Sequence, residues 1–371
     1  ILSLPLVLPV MTVRGPPLLR FWLCAFIYLL MMPSIIAVFT FNQNFFLGLT
    51  AQVKLLPMLY ALSFFGFLLL LRPSLDELQR AFLLCGLILF AVLIALWLFA
   101  PQSWYTTEYK FGDAPLLSAD DRGNRIRMPM YFGMIAIFAL YRRLLARREW
   151  KVGLLFVIAL VVLVAVVKTR ATVLAAAATL ALLSLAMASP RLRIAAGVLA
   201  AVGAIGLLQI PYVASAFDTS SSSGFDVRWI TILKAIQFLG ESPLRWIFGV
   251  GTITPLQPDG LSRFFNHFFF LADISWLGIV FEYGLIGSAL MLGLLVHTWW
   301  FGQRVRRNVD TPVFGGLQDY VLFTILMSPL YSTMTLQPGE IAVIAATFLY
   351  GWMIVRDHER GDVRSPPASL R

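Results

Sequence analysis

The run AFLLCGLILFAVLIALWLFA, residues 81–100, decides the class of fold. It holds twenty residues without a charge, with Arg80 before it and Pro101 after it. As α-helix such a run measures about 30 Å, the thickness of the hydrocarbon layer of a bilayer. A transmembrane β-strand would cross in about 10 residues and alternate in polarity, and this run does not alternate. Comparable runs lie on either side of it, at about 1–13, 21–41, 52–71, 128–141, 152–167, 171–189, 194–213, 268–300, 312–331 and 341–355. Together they predict an all-α, polytopic membrane protein with about 11 spans. Because the chain opens on Ile1 inside an apolar run, a twelfth helix is expected ahead of it in the full-length protein. Composition agrees, since 59% of the 371 residues are hydrophobic and only 13% are charged, well outside the range of soluble domains. Cys24 and Cys85 both stand in apolar runs, which leaves neither a disulfide framework nor a zinc cluster. No internal repeat is visible.

Charge orients these spans. The connections 14–20, 72–80, 142–151, 191–193 and 302–311, with the tail from Arg356, carry 18 of the 29 lysines and arginines. Cytoplasmic loops hold the excess of Lys and Arg, and every one of these connections falls on the same side of the predicted topology. The net charge of +10 is thereby accounted for by membrane anchoring, with no nucleic-acid partner implied. Two long loops, 101–127 and 214–267, then face the other side. The chain divides into N-terminal helices (1–150), a central core (151–300) and C-terminal helices with a tail (301–371).

Cations on that opposite face need a reason. They include Lys54, Arg122, Arg125, Lys168, Arg170, Arg228 and Arg263. Lys168 and Arg170 share the three-residue turn KTR between two apolar helices. Lys168 reads as a side chain snorkelling to lipid phosphates. Arg170 reads as functional, because a guanidinium fork grips phosphate at two points. In the loop 214–267, Trp229, Leu233 and Ile236 recur at helical spacing, and Arg228 and Lys234 stand off that stripe. This helix is expected to lie on the leaflet surface or to cover a cavity. Of three histidines only His267 stands on this face, flanked by Arg263 and followed by Asp273. A neutral imidazole there suits a general base, with Asp273 to hold its tautomer. Asp226 and Glu340 are alternative bases, and Glu282 is expected to be a buried, hydrogen-bonded partner. No DxD-like carboxylate pair stands in a loop on this side, so no metal or other cofactor is expected.

Three segments in order, KTRATVLA, FDVRWITILKAIQFLGESPLRWIFGVG and HFFFLADISWLGIVFEYGLIG, resemble the O-antigen ligase and O-antigen polymerase superfamily of bacterial envelope glycosyltransferases. The resemblance covers about residues 150–290. It rests on Thr169 and Arg170, on Arg228, Trp229, Gly249 and Gly251, and on His267, Gly284, Leu285 and Gly287. His267 and Gly278 stand in the His-x10-Gly relation of ligases, and Arg122 and Gly133 in the Arg-x10-Gly relation of polymerases. Phe268 occupies a position where ligases usually have Asn, Ser or Gln, which leans to the polymerase.

The resemblance implies metal-free transfer of a glycan from an undecaprenyl-diphosphate carrier on the periplasmic face of the inner membrane. The acceptor is another lipid-linked repeat unit in a polymerase and lipid A-core in a ligase. A separate chain-length regulator is a possible partner, besides the membrane lipids. Arg170 and Arg228 would stabilise the diphosphate leaving group, with Arg122, Arg125, Arg263 and Trp229 behind them, and His267 would take the acceptor's proton. A transporter or flippase for the same lipid-linked glycan is the competing reading from another class. Its expected marks are a repeat pair and interrupted helices that meet at mid-membrane, whereas the polar groups of this sequence gather at one face.

Overall fold

The computed structural model describes residues 17–107, 115–120, 123–147, 149–187, 225–254, 261, 264–265, 269, 271–309 and 311–359. The chain is an all-α membrane protein. Among the described residues six helical segments are long and apolar enough to cross a bilayer, and two shorter apolar helices accompany them. The expected spans 1–13 and 194–213 lie outside the described residues. Two compact units form, and neither is continuous in sequence: one draws on residues 1–75, 223–309 and 328–371, the other on 76–222 and 310–327.

In the first unit, α1 (Pro17–Phe41) is followed by a span built from three pieces. These are α2 (Phe45–Ala51), a 3₁₀ stretch (Gln52–Leu59) and α3 (Tyr60–Leu71). Asn44 caps α2 by accepting from the Phe46 amide, as short polar residues do at helix starts. Pro57 lies inside the 3₁₀ stretch, and it cannot donate to a regular helical ladder. After α8 (Phe225–Gly240) and α9 (Pro243–Phe248), the long α10 (Ser275–Arg306) packs on α1 and α9. Two further helices, α12 (Thr333–Leu336) and α13 (Pro338–Glu359), complete the unit, and α13 lies along α3. Gly339 permits one close approach, since a Cβ there would sit 2.8 Å from the Pro57 ring.

As one helix the run 268–300 would measure about 50 Å, too long for about 30 Å of hydrocarbon. The structure gives a 3₁₀ turn at Leu271–Ile274 and then α10, which is broken at Gly284 (φ 68, ψ −179). That region of backbone space is essentially open to glycine alone. A Cβ on Gly284 would also collide with Ile247 O, Gly249 N and Phe248 C. The segment after α9 turns on Gly249 (φ 81) and runs beside the break. There Val250 N donates to Phe281 O (2.8 Å) and Gly251 N to Glu282 O (3.2 Å). Carbonyls released by the break thus find donors inside the protein, the condition on which non-helical backbone survives at membrane depth. The two glycine motifs meet here as one device.

In the second unit, α4 (Leu75–Phe99) leads through a two-stranded hairpin, β1 (Leu117–Asp120) and β2 (Gly123–Ile126), to α5 (Tyr131–Arg147). Then come α6 (Trp150–Val162), which ends in a π turn at Leu163–Val167, α7 (Arg170–Met187) and α11 (Pro312–Met327). Helix α5 is the centre of this unit, with Ile135, Ala136, Ile137 and Phe138 all fully buried, as an apolar-all-round helix must be. It packs closely on α11, where a Cβ on Gly316 would come within 3.0 Å of the Ala139 amide. Arg142, counted above with the basic anchors, is instead held between these helices, where its Nη2 donates to Asp319 Oδ1 (2.7 Å) and its Nε to Oδ2. Asp319 is buried. A carboxylate in the membrane needs a fixed counter-charge, and Arg142 supplies it two-pronged.

Candidate functional site

The loop 101–127 was read from the sequence only as a long connection between spans. Its described residues instead build an ordered cap on the second unit. Strands β1 and β2 pair antiparallel from Leu117 opposite Ile126 to Asp120 opposite Gly123. Gly123 takes a positive φ of 78° that costs a glycine little. Thr106 adds a bridge to Ser118, and Asn124 Nδ2 donates to Gln102 Oε1 (2.7 Å).

On this cap two guanidiniums converge on one hydroxyl: Arg125 Nε lies 3.2 Å and Arg127 Nε 3.1 Å from the buried Ser118 Oγ. Arg125 is itself buried and pairs with Asp120 at 2.9 Å. Strand β2 packs against the π turn, which runs straight into Lys168 in the left-handed conformation and then Arg170, the first residue of α7. Lys168 Nζ reaches to 3.5 Å of the point where a Cβ on Gly123 would stand.

Four cations, Arg125, Arg127, Lys168 and Arg170, are therefore drawn to one end of the unit, where Asp120 is the carboxylate among the described residues. Arg170 also opens an 18-residue helix, and a helix N-terminus already carries positive potential that disfavours a cation. Cations held at such a place form an environment suited to an anion. Arg170 and Arg125, singled out separately in the sequence, belong to this single end. Arg127 was not among the sequence-derived candidates. Its signal was available in its two-residue spacing from Arg125, which in extended chain puts both on one face.

The other expected residues stand elsewhere. Arg122, Arg263 and His267 lie outside the described residues, and of Asp273 only the backbone, in the 3₁₀ turn before α10, is described. Arg228 and Trp229 sit on α8 in the first unit, and both are exposed. The stripe of Trp229, Leu233 and Ile236 is exposed as well, while Thr231, Ala235 and Leu239 turn into the core with Phe269, Phe281 and Val250. Helix α8 thus turns Trp229, Leu233 and Ile236 outward and packs Ala235 and Leu239 inward. Glu340 lies in the first turn of α13.

One constellation escaped the sequence reading in part. Lys54, grouped above with cations of the loop face, lies inside the interrupted span α2–α3. Its Nζ donates to Glu282 Oε1 (2.9 Å) and Oε2 (2.7 Å), two residues before the break in α10. Tyr283 Oη donates to Gln52 Oε1 (2.9 Å), and Lys54 Nζ sits 5.6 Å from the Tyr283 ring centroid. Gln52 Nε2 is buried beside them without a hydrogen-bond partner in the described residues. Glu282 has the role expected for it, a buried hydrogen-bonded partner. Both interrupted helices therefore meet at an ion pair within the membrane-spanning segments. Opposite charges in two separate apolar runs were the available signal.

Among the described residues no group of three or more His, Cys, Asp or Glu side chains comes together in a way that would hold a metal. No protein-family model matches the sequence, and no curated protein is significantly similar to it.

Proposed function

We propose that this protein is a membrane glycosyltransferase of the O-antigen ligase and polymerase type. It polymerises undecaprenyl-diphosphate-linked oligosaccharide repeat units on the periplasmic face of the bacterial inner membrane. The observation that carries the reading is the cation end of the second unit. Arg125 and Arg127 share Ser118, β2 packs on the turn that leads to Arg170, and Arg170 sits at the positive end of α7. Glycosyl transfer from a lipid diphosphate develops negative charge on the leaving group. Fixed cations stabilise that charge without reorganising at the moment of reaction. In this reading Arg170 grips the diphosphate, Arg125 orders the hairpin at that end through Ser118 and Asp120, and His267 accepts the proton of the acceptor hydroxyl. A ligase that transfers the finished glycan to lipid A-core uses the same donor chemistry and differs in the acceptor alone.

The test uses a strain that lacks the native copy. Arg170→Lys keeps the charge and loses the fork, so polymer should fall severely while the protein accumulates at normal levels in the membrane. His267→Ala should lower the rate about 10²–10⁴-fold while carrier-lipid binding persists. Accumulated single repeat units mark a polymerase, and finished polymer on its carrier marks a ligase. Normal polymer from Arg170→Lys would refute the role of the fork.

A transporter of the same lipid-linked glycan is the second reading, and a specific observation favours it. Two interrupted helices meet at Lys54 and Glu282, an arrangement common where transporters bind substrate. Reconstituted vesicles separate the two readings: a transporter moves a labelled lipid-linked glycan between leaflets without forming a glycosidic bond.

A further inference from the structure

At the opposite end of the second unit from the Arg170 turn, a cavity of about 380 Å³ opens between the start of α4, the end of α5 and the start of α11. Asp76, Gln79 and Arg80 line it from α4, and Arg143 and Arg147 from α5. Leu83, Leu140 and Ala146 supply an apolar wall. Pro312 and Val313, the first residues of the 16-residue α11, close another side, so the positive end of that helix dipole bears on the cavity.

Among the described residues the charges there are not balanced. Arg143 Nη2 donates to Glu149 Oε2 (2.9 Å), and Arg147 Nη1 stands 3.9 Å from the other oxygen of the same carboxylate. Counting Asp76 as well, three guanidiniums face two carboxylates. A ligand with one negative charge would offset this excess.

The location narrows the ligand further. All three walls adjoin connections rich in Lys and Arg, the side that the positive-inside rule makes cytoplasmic, so the cavity lies at the headgroup level of that leaflet. Arginines that merely snorkel need no concave partner surface, whereas here they share a cavity with leucine side chains.

We propose that this cavity is a binding site for an anionic phospholipid of the cytoplasmic leaflet. The singly charged phosphodiester sits among Arg80, Arg143 and Arg147, and the upper acyl chain lies along Leu83 and Leu140. Basic pockets between transmembrane helices on that side are suited to such headgroups. The proposal is independent of the reaction carried out on the other face.

The test is native mass spectrometry of the purified full chain titrated with phosphatidylglycerol, with phosphatidylcholine of the same acyl chains, or with glycerol 3-phosphate. Phosphatidylglycerol should be retained at least about tenfold more tightly than phosphatidylcholine. The triple variant Arg80→Gln/Arg143→Gln/Arg147→Gln should lose that preference. Ala146→Phe keeps every charge and fills the cavity, so it should weaken phosphatidylglycerol binding by a similar factor; it also decides the matter if the triple variant does not fold. Equal retention of the two lipids, or full retention by Ala146→Phe, would overturn the site. Competition by glycerol 3-phosphate at the affinity of the lipid would overturn the lipid as the ligand.

Discussion

Removing one partner of the Lys54–Glu282 pair isolates the cost of a lone charge within the membrane. Glu282→Gln keeps the shape of the side chain and leaves the Lys54 ammonium facing a neutral amide, in place of the two short hydrogen bonds at 2.7 and 2.9 Å. The Glu282 side chain is 11% exposed and that of Lys54 32%, so the pair is not fully buried and the penalty falls toward the lower end for buried pairs. Breaking such a pair costs about 3–5 kcal/mol when fully buried, and a lone charge at the centre of a span costs about 2.5–3.5 kcal/mol. About 3 kcal/mol is therefore expected, on the order of a hundredfold in the ratio of folded to unfolded protein. Lys54→Met should cost a similar amount, because Glu282 is then left alone. The double variant Lys54→Met/Glu282→Gln carries no lone charge and should recover much of the loss. The assay is reversible unfolding by sodium dodecyl sulfate in mixed micelles, followed by tryptophan fluorescence and read as a double-mutant cycle. Single variants within about 0.5 kcal/mol of the parent, with additive effects in the double variant, would refute the claim that this pair joins the two interrupted helices.

Three other outcomes can be checked. Gly284→Ala places a methyl group against Ile247, Phe248 and Gly249 backbone at a positive φ and should abolish stable folding. Gly240→Ala meets nothing within 4 Å and should leave the unfolding midpoint unchanged or slightly raised; a folded, equally stable Gly284→Ala protein would contradict the break described for α10. Cysteines introduced at Gln102 and at Asn308, both exposed, report sidedness in intact spheroplasts of a strain whose copy lacks Cys24 and Cys85. A membrane-impermeant thiol reagent should label the first and spare the second, and the reverse pattern would invert the topology. Ser118 would be a poor reporter, since its side chain is buried under Arg125 and Arg127. Purified protein supplied with lipid-linked substrate should keep its activity in excess chelator; loss restored by Mg²⁺ or Mn²⁺ would refute a metal-free reaction and point to Asp120 and Asp121 as ligands.

Length and hydropathy alone determine that this chain enters a bilayer as helices, because a peptide group in hydrocarbon must find its partner within its own segment. The run 81–100, with no charge in twenty residues, needed no neighbour to become the helix Leu75–Phe99. The expected role of Glu282 was legible for the same reason, since a carboxylate in an apolar run must be paired. Which cation would pair with it was not legible. Lys54 is 228 residues away in sequence, and the choice depends on α10 stopping at Gly284 against the Gly249–Gly251 segment. The glycines were visible as motifs, but the need for both arises only where two backbones approach too closely for any Cβ. Arg142 followed the loop-charge pattern in sequence and a different logic in space, because Asp319 on α11 offers it a buried carboxylate. The hairpin was hidden by its shortness: four residues per strand give too little alternation to read. Its order comes from cross-chain ties to Thr106, Gln102 and the turn before Arg170. Sequence sets which segments the membrane will hold, since that depends on each segment's own transfer from water. Tertiary structure decides which charges inside them meet, since that depends on distances between segments far apart in the chain.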